Sequence, residues 1–158
     1  GDLTNVLSIY SLSKQSNLAG YRAAFAAGDD RLIKGLVNLR MHSGMMVPMP
    51  VQKAMVAALG DDLHVATQKE IYRKRRDVLL PALEAYGFEV HDSESGLYLW
   101  VTKGQDCWET IAELAELGSV AVPGEFYGEA GKNFVRFSIT ATDQEVFEAA
   151  NRLKNALG

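Results

Sequence analysis

The sequence predicts an α/β chain, and three kinds of pattern carry that prediction. Short runs rich in β-branched and aromatic residues, from Val6 to Tyr10, Leu97 to Val101 and Asn133 to Thr140, have the length and composition of strands. Between them, longer stretches repeat apolar residues at helical spacing, as in Leu32, Ile33, Leu36, Val37 and Leu39 or Val146, Phe147, Ala150, Leu153 and Leu157. Asp106 with Glu109 and Thr142 with Glu145 stand at the spacing of a helix capping box.

Taken in order, the run from Val6 to Tyr10 reads as a buried strand leading into small hydroxyl residues and Lys14. Tyr21 to Ala27 is a short apolar stretch with strand character. Asp29 or Asp30 caps a helix to about Met41 whose apolar face belongs to a core. The segment from Arg40 to Pro50 holds a glycine and two prolines and is rich in methionine, so it is a shaped loop rather than a helix. Helical spacing resumes from Val51 to Leu59. Asp61 to Tyr86 reads as one long helix, striped by Leu63, Ala66, Ile71, Val78, Leu79 and Leu83, with a bend expected at Pro81. Its basic residues Lys69, Arg73, Lys74, Arg75 and Arg76 alternate with Glu70, Asp77 and Glu84, which marks a solvated face. The remainder, with strands at Gly87 to Val90, Leu97 to Val101, Val120 to Val122 and Asn133 to Thr140, forms a small antiparallel or mixed sheet covered by two helices.

Composition narrows the function classes. A chain of 158 residues, 47% hydrophobic and 23% charged, can bury one substantial core. No apolar run spans a bilayer and no signal peptide is visible, so the expected compartment is cytoplasmic, with no membrane partner. Cys107, the lone cysteine, excludes an internal disulfide framework and reads as structural. A net charge of −4 argues against nucleic acid. His42, His64 and His91 lie far apart, so no metal site is expected.

Two residues invite a chemical reading. A lysine at the end of a buried strand is partly shielded from water, which disfavours the ammonium and leaves a nucleophilic amine. Around Lys14 stand Ser11, Ser13 and Arg22, donors of the kind that hold a phosphate, a combination that suggests pyridoxal 5′-phosphate. The same residues also fit a solvated loop lysine and a surface arginine, and composition by itself favours that plainer reading. Arg136 stands among apolar neighbours in a strand, sharing one face with Phe134 and Ser138 while Val135, Phe137 and Ile139 take the other. It meets either a carboxylate or, at a sheet edge, water. Tyr98 and Trp100 read as core aromatics.

The string Ser11-Leu12-Ser13-Lys14, then Leu18-Ala19-Gly20 and Arg22, resembles the cofactor-lysine motif of class I and II aminotransferases, the fold-type I pyridoxal phosphate enzymes. Pro123-Gly124, Phe126-Tyr127-Gly128 and Val135-Arg136-Phe137-Ser138 resemble the same family's small-domain motif. The resemblance implies that Lys14 carries the cofactor covalently and acts as the catalytic base. It further implies that Ser11 and Arg22 bind the cofactor phosphate, that Gly20 permits a tight turn, and that Arg136 binds the substrate α-carboxylate. It implies the C-terminal part of a fold-type I transferase: residues 1–60 as the end of the large cofactor-binding domain, 61–86 as the interdomain helix and 87–158 as the small α/β C-terminal domain. Substrates would be an amino acid and a keto acid. A homodimer is expected; in the family the corresponding loop reaches toward the neighbouring subunit's cofactor, a contact for which Ser43 is a candidate, and a loop that simply fills the core fits the segment equally. The stretches from Ser11 to Phe25, Arg40 to Pro48 and Ser138 to Asp143 look most like bacterial N-succinyldiaminopimelate aminotransferases, which use glutamate as amino donor. A same-fold lyase, another aminotransferase such as the aspartate type, and a non-catalytic module are the alternatives. In the family, the aspartate at the pyridine nitrogen, the ring-stacking aromatic and the glycine-rich phosphate loop precede the lysine and have no counterpart here. The chain alone is therefore expected to be inactive.

Overall fold

A computed structural model describes residues 2–44 and 46–157. Two compact units divide the chain, one running through Gln68 and the other beginning at Lys69.

The first unit opens with an antiparallel ribbon, β1 (Leu7–Ser11) paired with β2 (Ala24–Gly28) in a register that sets Ser11 opposite Ala24. Between them lie a single helical turn, α1 (Leu12–Gln15), and a 3-10 turn at Ala19–Tyr21. Asp29 caps α2 (Asp30–Ser43), as expected, accepting from the Arg31 N–H at 2.8 Å. Pro50 sits in the first turn of α3 (Met49–Leu59), where its missing N–H costs no helical bond. Helix α4 begins at Asp62. The core of this unit is small: Leu12, Ala23 and Met55, with Leu18, Val47, Val51 and Ala58 against it.

Burial differs from the sequence expectation here. All five residues of β1 are exposed, and α2 buries none of its residues, with Val37 and Leu39 among those open to solvent. The apolar patterning of β1 and α2 is real, but within the described residues it is left largely open: on α2 only Ile33, Leu36 and Arg40 are half-buried. Met45 of the methionine loop lies outside the described residues, and Met46 is exposed.

The second unit is the better filled. Its sheet has the order β3 (Glu89–His91), β4 (Tyr98–Thr102), β6 (Phe134–Ser138), β5 (Val122–Pro123), and every pairing is antiparallel. The buried face presents Leu99, Val101, Val135, Phe137 and Ile139. Against it pack three helices rather than two: α5 (Cys107–Glu116) with Cys107 and Leu114, α6 (Asp143–Asn155) with Val146, Ala150 and Leu153, and α4 (Asp62–Ala85) with Leu79, Ala82 and Leu83. Pro81 lies inside α4 without ending it. Two of its basic residues are staples rather than solvated charges: Arg75 reaches Asp143 at 2.5 Å and the Ile139 carbonyl at 3.1 Å, and Arg76 donates to the Gly96 carbonyl at 2.6 Å. Thr142 and Glu145 make the full reciprocal capping box at α6. Asp106 caps α5 by accepting from the Trp108 N–H at 2.9 Å. Phe147 and Leu157, expected inward, are exposed, and Leu157 lies past the end of α6.

Among the described residues, no helix is long and apolar enough to cross a membrane, and no group of His, Cys, Asp and Glu is arranged to hold a metal ion.

Candidate functional site

Lys14 is the third residue of α1, a turn that exists because Ser11 caps it. The Ser11 hydroxyl accepts from the Ser13 N–H at 3.2 Å and donates to the Ser13 hydroxyl at 2.9 Å. Ser11 and Lys14 are three residues apart, the spacing that puts side chains on one side of a helical turn. Leu12 anchors the turn with no exposed surface, and the Leu18 N–H returns to the Leu12 carbonyl at 3.3 Å. Arg22 follows the 3-10 turn in the left-handed region at φ 51°, its Nη1 donating to the Ala19 carbonyl at 3.0 Å. The tight geometry expected of Gly20 falls instead on Asn17 and Arg22, which take the positive φ values, while a Cβ added at Gly20 would meet nothing within 4 Å.

The shielding expected around Lys14 is absent among the described residues. Its side chain is exposed, as is every residue of the strand before it. Even so, two serine hydroxyls, a guanidinium held by one terminal nitrogen and a primary amine form a donor set suited to a phosphate monoester beside an aldehyde, so the residues present fit pyridoxal 5′-phosphate.

One contact in this unit was missed in the sequence. His64 joins Ser16, the residue closing α1, through Nε2 at 2.9 Å, and its Nδ1 lies 3.1 Å from Asp61. Asp61 also accepts from the Leu63 and His64 N–H groups, and these bonds, led by that of His64, lower its pKa. The start of α4 thereby holds the end of the lysine-bearing turn. Only the three-residue spacing of Asp61 and His64 could have hinted at it.

Arg136 stands on β6, an internal strand, so the edge-strand alternative does not hold. Its face alternates as expected: Val135 and Phe137 are buried in the helical core, while Arg136 and Phe134 are half-buried on the opposite face. Tyr98 and Trp100 stand on that same open face, not in the core, because the β4 register pairs Trp100 with Arg136 and Tyr98 with Ser138. The Arg136 guanidinium carbon lies 3.9 Å from the Tyr98 ring centroid and 5.4 Å from that of Tyr127. Trp100 stacks on Phe134 at 5.2 Å with 7° between planes, and Tyr127 meets Trp100 edge-on at 5.6 Å. Within this aromatic surround Nε of Arg136 is buried without a hydrogen-bond partner. A half-buried guanidinium with no carboxylate on it among the described residues is arranged to receive one.

Comparison with known proteins places the chain. It is 53% identical to the 4-dedimethylamino-4-oxo-anhydrotetracycline transaminase OxyQ of Streptomyces rimosus over 153 residues, which is 97% of this chain and 43% of that protein. An aminotransferase structure from Neisseria meningitidis superposes with a TM-score of 0.89 at 28% identity, covering 98% of this chain and 41% of that one. The N-succinyldiaminopimelate aminotransferase structure from Mycobacterium tuberculosis gives 0.79 at 29% identity, covering 94% and 41%. The chain thus spans about two fifths of the length of the relatives it matches. The family model for aminotransferase class I and II matches residues 1–153, and the chain belongs to that family, whose members depend on pyridoxal 5′-phosphate.

Proposed function

We propose that the protein to which this chain contributes transfers an amino group between an amino acid and a keto acid, with Lys14 and Arg136 as its working pair. The observation that carries this reading is Arg136, half-buried on an internal strand and without an anionic partner among the described residues. Its planar fork of donors suits the carboxylate common to amino and keto acids. Ser11 and Arg22 hold the cofactor phosphate, the capped turn fixing one and the left-handed residue the other. When bound, the cofactor supplies an electron sink for a negative charge at the substrate α-carbon. Lys14 would hold the cofactor through Nζ, and its amine, when free, would serve as the base that moves the proton at the substrate α-carbon. Shielding of Lys14 comes from parts of the protein beyond the described residues. The working form is a cytoplasmic homodimer, with Ser43, exposed at the end of α2, facing the neighbouring subunit.

Glutamate is the proposed donor and an N-succinyldiaminopimelate-type keto compound the proposed acceptor, supported by the likeness to the enzyme of that name at 29% identity. The higher identity to OxyQ, 53%, favours a second reading, in which the acceptor is a ring ketone on a larger skeleton. Amino transfer from glutamate, measured on the full-length protein with each acceptor class, separates the two. Lys14→Ala should abolish transfer and the absorbance near the visible edge that accompanies the bound cofactor. Retention of both in that variant would refute the assignment of Lys14.

A further inference from the structure

We infer that Tyr98 is a positioning residue for Arg136, aided by Tyr127, and that stacking on these rings sets the orientation in which the guanidinium meets the substrate carboxylate. The inference rests on the reading of Arg136 given above and extends it to residues that do not themselves bind the carboxylate.

A long, flexible arginine on an open sheet face needs something to fix its plane. A carboxylate of the protein could do so, but such a partner would occupy the same N–H groups the substrate needs. Among the described residues Arg136 has no such partner. Its guanidinium carbon instead lies 3.9 Å from the centroid of Tyr98, the distance of face-on stacking, with Tyr127 at 5.4 Å. An aromatic ring engages the face of the guanidinium and leaves the N–H edge free. Nε is buried, so the donors left for a ligand are the terminal nitrogens. Orientation is thereby fixed without competition for the ligand.

The aromatics are themselves held. Tyr98 sits in β4, one step diagonally from Arg136 across the β4–β6 pair. Tyr127 closes the 3-10 turn Gly124–Tyr127, and that turn is folded tightly because Gly124 and Gly131 lie against each other: a Cβ on either would fall 2.3 Å or 2.2 Å from the other's carbonyl oxygen. Trp100, edge-on to Tyr127 and stacked on Phe134, fills the space beside them.

The test uses the full-length holoenzyme and the glutamate half-reaction, followed by the change in cofactor absorbance. Tyr98→Leu should raise the glutamate concentration at half-saturation about tenfold and leave the saturating rate within about twofold, the split expected when an interaction made equally before and during reaction is weakened. Tyr98→Phe keeps the ring and should restore binding to within about twofold. Loss of binding in Tyr98→Phe would overturn the inference by showing that the hydroxyl, not the face, is used. Parental binding in Tyr98→Leu would overturn it as well. Should Tyr98→Leu fail to fold, Tyr127→Leu, at a position 55% exposed, carries the same test with an expected rise of about threefold, and no rise overturns the inference. Arg136→Lys keeps the outcomes separable: normal glutamate binding in that variant refutes the role of Arg136 itself, whereas weakened binding there with none in Tyr98→Leu refutes only the positioning role.

Discussion

Replacing Gly124 by alanine tests whether the turn beside Arg136 is held by backbone contact. A methyl group on Gly124 would lie 2.3 Å from the Gly131 carbonyl oxygen, 2.6 Å from that of Phe134 and 2.9 Å from the Trp100 ring. Two of these neighbours are main-chain atoms that no rotamer change can move aside, so the segments must part by about 1 Å to regain ordinary contact. Overpacking of that size costs about 1–3 kcal/mol. Gly131→Ala meets the same obstacle from the other side, 2.2 Å from the Gly124 carbonyl oxygen. Once the segments have parted for one methyl there is room for the second, so the double variant should cost less than the sum of the singles. In this 158-residue chain Trp100 and Trp108 both belong to the second unit, so its tryptophan fluorescence in equilibrium urea unfolding reports on that unit. Single variants within about 0.5 kcal/mol of the parent would refute the packing argument. A double variant that costs the full sum would refute the shared-displacement part of it.

Two further predictions concern the first unit. Gly35 lies inside α2 with nothing within 4 Å of a built Cβ, so Gly35→Ala should raise stability by about 1 kcal/mol in thermal or urea unfolding. Asp29 has its pKa lowered from 3.8 to about 2, first by the Arg31 side chain and then by the Asn5 and Arg31 N–H groups. A depressed carboxylate stabilises the folded state above its unfolded value and loses that contribution as pH falls through the folded one, so acid unfolding should steepen between 3.8 and about 2 and flatten in Asp29→Asn.

The second unit was legible because its pattern is self-contained. The alternation Val135, Phe137, Ile139 against Phe134, Arg136, Ser138 fixes which face of β6 is buried, and the Thr142–Glu145 box fixes where α6 starts. What escaped was non-local. Tyr98 and Trp100 are as apolar as core residues, and only the pairing of Trp100 with Arg136 across strands 36 positions apart shows that they wall the arginine. The role of Arg75 needs Ile139 and Asp143, and the tie from His64 to Ser16 crosses 48 positions, distances at which periodicity carries no information. In the first unit the reverse error arose. Periodicity reports that a face is apolar, not what covers it, so β1 and α2 read as core although β1 is exposed throughout and α2 buries no residue fully, with Leu32, Val37 and Leu39 open to solvent.

That contrast bears on how the two residues proposed to work together are prepared. Arg136 has its orienting groups within one unit: the strand that carries it, the neighbouring strand that supplies Tyr98, and the glycine-closed turn that supplies Tyr127. Lys14 has its backbone fixed within the first unit as well, by the Ser11 cap with Leu12 buried beneath it and by the non-local tie of His64 to Ser16, but its side chain stays exposed among the described residues. Position and chemical activation are therefore separable for the lysine. Contacts within the first unit set where the amine stands, and desolvation, which makes an amine a nucleophile, has to come from groups outside those contacts. For the arginine no such separation exists, because a guanidinium stays charged in any protein environment and needs only to be aimed.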